Sequence, residues 1–180
     1  MSTLPDGMQS RLGDRFLWFG FFVFAIFAGF FQITAADTGF HIQTGAYVFQ
    51  NRSIPAVNTF AHTTPEHHWY LQQWAPATLI YLIYHWLGLT GLIIFKSVIC
   101  ALVFLITART AYETGGKKRL FLALCLGTVA VLIARHRFFV RPYIFSALIF
   151  ASVLWADCRF NRSCRWQWIV LPIVMAIWTN

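Results

Sequence analysis

What most constrains this chain is a series of apolar runs long enough to cross a lipid bilayer, the first of them FLWFGFFVFAIFAGFFQITAA from Phe16 to Ala36. A hydrocarbon core about 30 Å thick needs about 20 apolar residues of helix, because no backbone N–H or C=O can face lipid unpaired. Further runs follow at Leu89–Ala108, Leu120–Ala134, Pro142–Asp157 and Trp168–Trp178. Only 11% of the 180 residues are charged while 58% are hydrophobic, too little charge to cover a water-soluble surface. The expectation is an all-α, polytopic transmembrane bundle of about five spans, forming a single domain over residues 1–180.

The individual runs differ in what they imply. Phe16–Ala36 exceeds the roughly 7 to 15 apolar residues of a secretory signal core, so it reads as a retained span despite a weak cleavage pattern at Thr34 and Ala36. Leu120–Ala134 covers only about 23 Å at helical rise, which leaves Arg119 and Arg135 to snorkel from its ends. Trp168–Trp178 runs into the last residues, as expected of the N-terminal part of a larger module.

Trp74–Trp86 is apolar but short, and charge decides its placement. Laid along the interface, it puts Arg11, Arg15, Arg109, Lys117, Lys118, Arg119, Arg159, Arg162 and Arg165 on one side, and Arg52, Arg135, Arg137 and Arg141 on the other. Placing it across the bilayer reverses that bias and violates the positive-inside tendency. A juxtamembrane helix and a cytoplasmic N-terminus follow, with residues 37–73 forming a long first extracytoplasmic loop.

The net charge of +8 is scattered over short loops between apolar runs, so anionic lipid headgroups are the expected partners and nucleic acid is not. Cys100, Cys125, Cys158 and Cys164 have neither metal-ligand spacing nor an implied disulfide. The sequon at Asn51 has meaning only in a glycosylating lumen.

Chemistry concentrates in the loop from Asp37 to Gln73, which holds His41, His62, His67, His68 and Glu66 among aromatic residues. An acid at a membrane boundary is a functional candidate by default, and Asp37 and His41 share a face if a helix begins there. A carboxylate so placed can take a proton from an attacking hydroxyl; its bland reading is a helix cap or topology marker. A divalent metal held by Asp37 with His41, His62, His67 or His68 is an alternative, although the spacings match no specific zinc motif. Trp69 and Trp74 suit either an interfacial aromatic belt or stacking on a sugar face.

The outer run Arg135-His136-Arg137-Phe138-Phe139-Val140-Arg141-Pro142 puts three guanidinium groups where positive charge is normally depleted. Either it anchors to headgroups or it holds a phosphate in bidentate fashion. Lys96, one third of the way into the second span, reaches the same interface by snorkelling, with or without a phosphate there.

Asp37-Thr38-Gly39-Phe40-His41, Thr44-Gly45, Ile54-Pro55, Asn58-Thr59-Phe60, Thr63-Thr64, Trp69, Trp74, the stretch from Gly88 to Lys96, and Arg137 through Pro142 together resemble a known pattern. It is similar to that of bacterial GT-C glycosyltransferases, relatives of the protein O-mannosyltransferases and lipid A aminoarabinose transferases. Ile177-Trp178-Thr179-Asn180 extends the likeness, which covers nearly the whole chain and leaves out the family's C-terminal spans. The resemblance implies sugar transfer from a polyprenyl-phosphate donor to an acceptor hydroxyl, with inversion, at the extracytoplasmic face of a bacterial inner membrane. It places Asp37 at the catalytic carboxylate and His41 at a recurrent motif position without an assigned role; for the reaction so implied, the substrate-binding candidates are His41, Lys96, Arg137, Arg141, Trp69 and Trp74. Gln73 stands where a second acid often accompanies the first, a departure that bears on metal binding through paired carboxylates. A transporter or lipid-handling subunit is the rival reading, though the charges sit at membrane boundaries rather than at a midplane site. A haem or quinone subunit is a third, for which His85 and His136 are poorly placed.

Overall fold

The computed structural model describes residues 6–57, 68, 70–116, 119–159 and 172–174. Five α-helices account for most of them: α1 (Asp6–Gly29), α2 (Asp37–Asn51), α3 (Trp74–Gly115), α4 (Leu120–Ala134) and α5 (Tyr143–Arg159), with a 3-10 turn at Arg135–Arg137. The helices α1 and α3, and α4 together with the 3-10 turn after it, contain stretches long and apolar enough to cross a membrane. They turn large apolar side chains outward as well as inward: Phe16, Phe27, Phe121 and Ile133 are each more than 70% exposed. Such a surface is untenable in water and suited to lipid, so the chain is an integral membrane protein.

Helix boundaries follow the local chemistry closely in places. The helix α4 has the bounds the apolar run predicts, and α5 extends the expected fourth span by two residues to Arg159. The first span is shorter than expected. Its helix stops at Gly29, and Phe30–Ala36 form a non-helical connection before α2 begins at Asp37. Most of the fifth expected run, and Trp69 with His62, Glu66 and His67, lie outside the described residues.

The 42 residues of α3 are two helices joined at Gly88, whose φ of 66° and ψ of −164° are open to glycine and strained for other residues. Residues 74–87 therefore take a direction of their own, separate from the long apolar part at 89–115. This is the break expected between Trp86 and Leu89. Residues 74–87 pair with α2 through a close approach at Gly45, where a Cβ would stand 2.1 Å from the Ala77 carbonyl oxygen. Tyr81 also packs on Phe49 there.

The chain directions emerge from the contacts. Trp18 of α1 meets Tyr112 of α3, while Gly29 meets Ser97, so these helices are antiparallel. The helix α4 is antiparallel to the same part of α3, since Gly127 lies near Ala108 and Phe138, just past its end, packs on Phe104. The helix α5 runs parallel to it, with Phe145 on Phe95 and Arg159 on Glu113. One core cluster joins Phe21, Ala25, Ala101, Ala108, Leu120, Leu124 and Val131, its alanines letting the backbones approach in the way membrane helices favour. A second cluster of Ile80, Leu92 and Val140 fastens the α2–α3 pair to the far end of the bundle, and it is this end that carries the site.

Candidate active site

The segment Phe138–Arg141 leads from α4 to α5, and its side chains alternate in environment. Phe138 and Val140 are buried, while Phe139 and Arg141 are only partly so, an alternation set by two successive tight turns in which Phe139 N–H donates to the Arg137 carbonyl at 2.9 Å and Arg141 N–H to the Phe139 carbonyl at 3.0 Å. Burial of the two apolar residues thus fixes where Arg141 sits. Pro142 then immediately precedes α5, where its missing N–H costs no helical bond. The Tyr143 hydroxyl braces the turn, donating to the Arg137 carbonyl and accepting from the Phe139 N–H at 3.2 Å.

Asp37 is the first residue of α2, where the helix dipole favours a carboxylate. Arg141 Nη2 contacts Asp37 Oδ2 at 2.6 Å, joining residues 104 positions apart in sequence. Asp37, Phe40 and His41 occupy one face of α2 and line a cavity of about 600 Å³ with Ala36, Gln73, Arg141, Pro142 and Tyr143. That volume is in the range of small-molecule sites. His41 is buried beside this ion pair. Burial lowers its pKa below the usual histidine value; the nearby Asp37 carboxylate opposes the shift, and the Arg141 guanidinium adds to it. His41 is therefore neutral at pH 7. The cavity contains one permanent cation, one anion and a neutral imidazole.

The other face of the same turn differs. Thr38, Gly39, Ile42 and Gln43 line a second cavity of about 600 Å³ with Gln32, Ile33, Tyr84, Leu89 and Ile93, and among the described residues no charged side chain borders it.

Lys96, Arg137 and Trp74 do not line the cavity that holds the ion pair. Lys96 is 1% exposed, with its ammonium donating to the Phe31 carbonyl at 2.8 Å and lying 3.6 Å from the Phe31 ring centre. The non-helical connection after α1 supplies a carbonyl acceptor within the bundle, so the charge is satisfied there and holds the chain six residues before Asp37. Arg137 is exposed on the 3-10 turn with Arg135 and His136. Trp74 opens α3, with its carbonyl accepting from Thr78, and its neighbour Gln73 rather than Trp74 itself faces the cavity. Among the described residues no three of His, Cys, Asp and Glu converge as a metal site would require. Tyr143 and the Phe31 carbonyl escaped sequence reasoning; the tyrosine had a signal, since it follows the Arg-Pro pair directly.

Compared with family models, curated proteins and solved structures, the chain matches none.

Proposed function

We propose that this chain is a membrane glycosyltransferase, or part of one, that moves a sugar from a polyprenyl-phosphate donor to an acceptor hydroxyl outside the cytoplasm. The observation that carries this reading is the meeting of Asp37 and Arg141 beside neutral His41 in a cavity at one end of an apolar bundle. A base and an anion-binding group within one small-molecule-sized space are the two elements such a displacement needs.

In this reaction the acceptor oxygen attacks the anomeric carbon as Asp37 takes its proton, and the bond from that carbon to the phosphate oxygen breaks. The polyprenyl phosphate leaves with its charge held by Arg141, and the anomeric centre inverts. Charges held in place where charge develops in the reaction are among the largest contributors to such catalysis. The basic turn Arg135–Arg137 meets lipid phosphates at the membrane surface. The topology belonging to this reading has about five spans: α1, residues 89–115, α4, α5 and the apolar run 168–178. Residues 74–87 and α2 lie along the outer face of a bacterial inner membrane, and the N-terminus is cytoplasmic. A water-insoluble donor reaching the site from the bilayer accounts for placing the chemistry at the boundary.

The test is sugar transfer in membranes carrying the protein that contains this chain, using a radiolabelled polyprenyl-phosphate sugar. Asp37→Asn should lower transfer by about a hundredfold or more while membrane insertion is retained, the scale expected for loss of a general base. Transfer at the wild-type rate would remove Asp37 from the mechanism.

A further inference from the structure

The guanidinium of an arginine presents Nε–H and Nη2–H side by side, two parallel donors spaced to take two oxygens of one phosphate. In this structure that edge is half used. Asp37 Oδ2 lies 2.6 Å from Nη2 as an ion pair, while Arg141 Nε is buried and without a hydrogen-bond partner among the described residues. A single carboxylate oxygen thus occupies a site shaped for two-point binding, and it leaves a buried donor unpaired, which is costly. We propose that a phosphate monoester or diester enters by taking the Nε–Nη2 edge of Arg141 and displacing Asp37, so that the carboxylate is set free as a base only when the phosphate is in place. The inference rests on reading this cavity as the phosphate site.

The energetics favour the exchange. Asp37 and Arg141 have side chains 47% and 38% exposed, so water screens the attraction that must be given up. The incoming anion keeps a charge on the guanidinium and satisfies the donor that the carboxylate leaves unpaired. Asp37 then remains in the same cavity, one helical turn from His41, whose neutral ring adds no charge to hold it back. The ion pair is accordingly a latch. While the pair is closed Oδ2 is engaged with the guanidinium, and arrival of the phosphate frees that oxygen to face an acceptor hydroxyl.

The experiment measures binding of farnesyl phosphate to the purified protein in detergent, comparing wild type with Asp37→Asn, Arg141→Ala, Arg141→Lys and the double variant Asp37→Asn/Arg141→Lys. Removing the competing carboxylate should tighten binding by about fivefold, the scale of a partly exposed ion pair. Arg141→Lys keeps the charge and lacks the fork, so in that background Asp37→Asn should change affinity by far less. This non-additivity is the signature of direct competition. Equal tightening in both backgrounds would mean that Asp37 acts only through its field, and it would overturn the displacement. So would an unchanged or weaker affinity in Asp37→Asn while Arg141→Ala loses binding, an outcome that leaves the phosphate site standing. Binding indifferent to both Arg141 substitutions would remove the phosphate site itself, and the exchange with it.

Discussion

Both ends of the bundle carry a carboxylate held by arginine, and they are built differently. At one end Glu113 Oε1 lies 3.3 Å from both Arg109 and Arg159, two long contacts, one of them a local pair four residues apart on α3. Arg109 lies over the Trp18 ring and Arg159 over Trp155, so both guanidiniums have further partners on the surface. At the other end a single short contact joins Asp37 to Arg141 across most of the chain, inside a cavity and next to a buried histidine. The first arrangement ties α3 to α5. The second leaves a donor unpaired and space for a ligand. Concavity and incomplete pairing, rather than charge itself, separate a site from a structural bridge.

The largest effect expected from this contrast is functional and confined to one end. Asp37→Asn should abolish transfer while Glu113→Gln leaves it near the wild-type rate, both read in the same labelled-donor assay. Equal losses would erase the distinction between the two ends. Arg141→Ala should follow, weakening prenyl-phosphate binding by about tenfold to a hundredfold, the scale of a lost charged hydrogen bond. The matching change at the other end, Arg159→Ala, should leave that binding unchanged.

How much of this contrast was legible beforehand depended on range. Apolar runs fixed four of the helices, because burial in lipid is read directly from composition; the bounds of α4 and the break at Gly88 came from that signal. The helical spacing of Asp37 and His41 was equally local. Pairing across 104 positions was inferable only from the placement of both residues on one side of the membrane, and which arginine of the three would make it was not. Alternation along Phe138–Arg141 selects Arg141, and that alternation depends on Val140 meeting Ile80 and Leu92, which no local pattern encodes. The partner of Lys96 was illegible for the same reason, since its acceptor is a carbonyl released where α1 ends seven residues early.

Effects on stability sharpen the contrast further. Gly45→Leu would drive a side chain into the Ala77 carbonyl and Tyr81, separating α2 from residues 74–87 and with them the wall that carries Asp37. A loss of about 1–3 kcal/mol or more is expected, the cost of overpacking a close contact, and it should be seen as a lower unfolding temperature in detergent together with lost prenyl-phosphate binding. Unchanged stability would mean that α2 is held mainly by its ends. His41 supplies a pH effect at the same location. Its folded pKa lies below the ordinary 6.5, so the folded state binds fewer protons than the unfolded chain as pH falls through that value. Its contribution is fully present above about pH 6.5 and declines as pH drops toward the folded pKa, at no more than about 1.4 kcal/mol per pH unit. His41→Gln should flatten the dependence of unfolding temperature on pH between neutrality and mild acid. An identical slope in the variant would assign the dependence to other groups.

The smallest expected effect belongs to the bridge at the opposite end. Glu113 is about a quarter exposed, and its two arginine partners are about half exposed, so solvent screens both attractions. Each such pair is worth under about 1 kcal/mol, and both guanidiniums keep their contacts to Trp18 and Trp155 when the carboxylate is removed. Glu113→Gln should therefore lower stability by less than about 1 kcal/mol, and the loss should shrink further in high salt, where exposed pairs are screened. The Asp37→Asn variant should behave otherwise, since Arg141 there borders a cavity and its Nε already lacks a partner among the described residues. Added phosphate should restore stability to Asp37→Asn by occupying the vacated guanidinium, and should do nothing for Glu113→Gln. A response of equal size at both ends would mean that the cavity confers no selectivity for an anion beyond that of any exposed arginine.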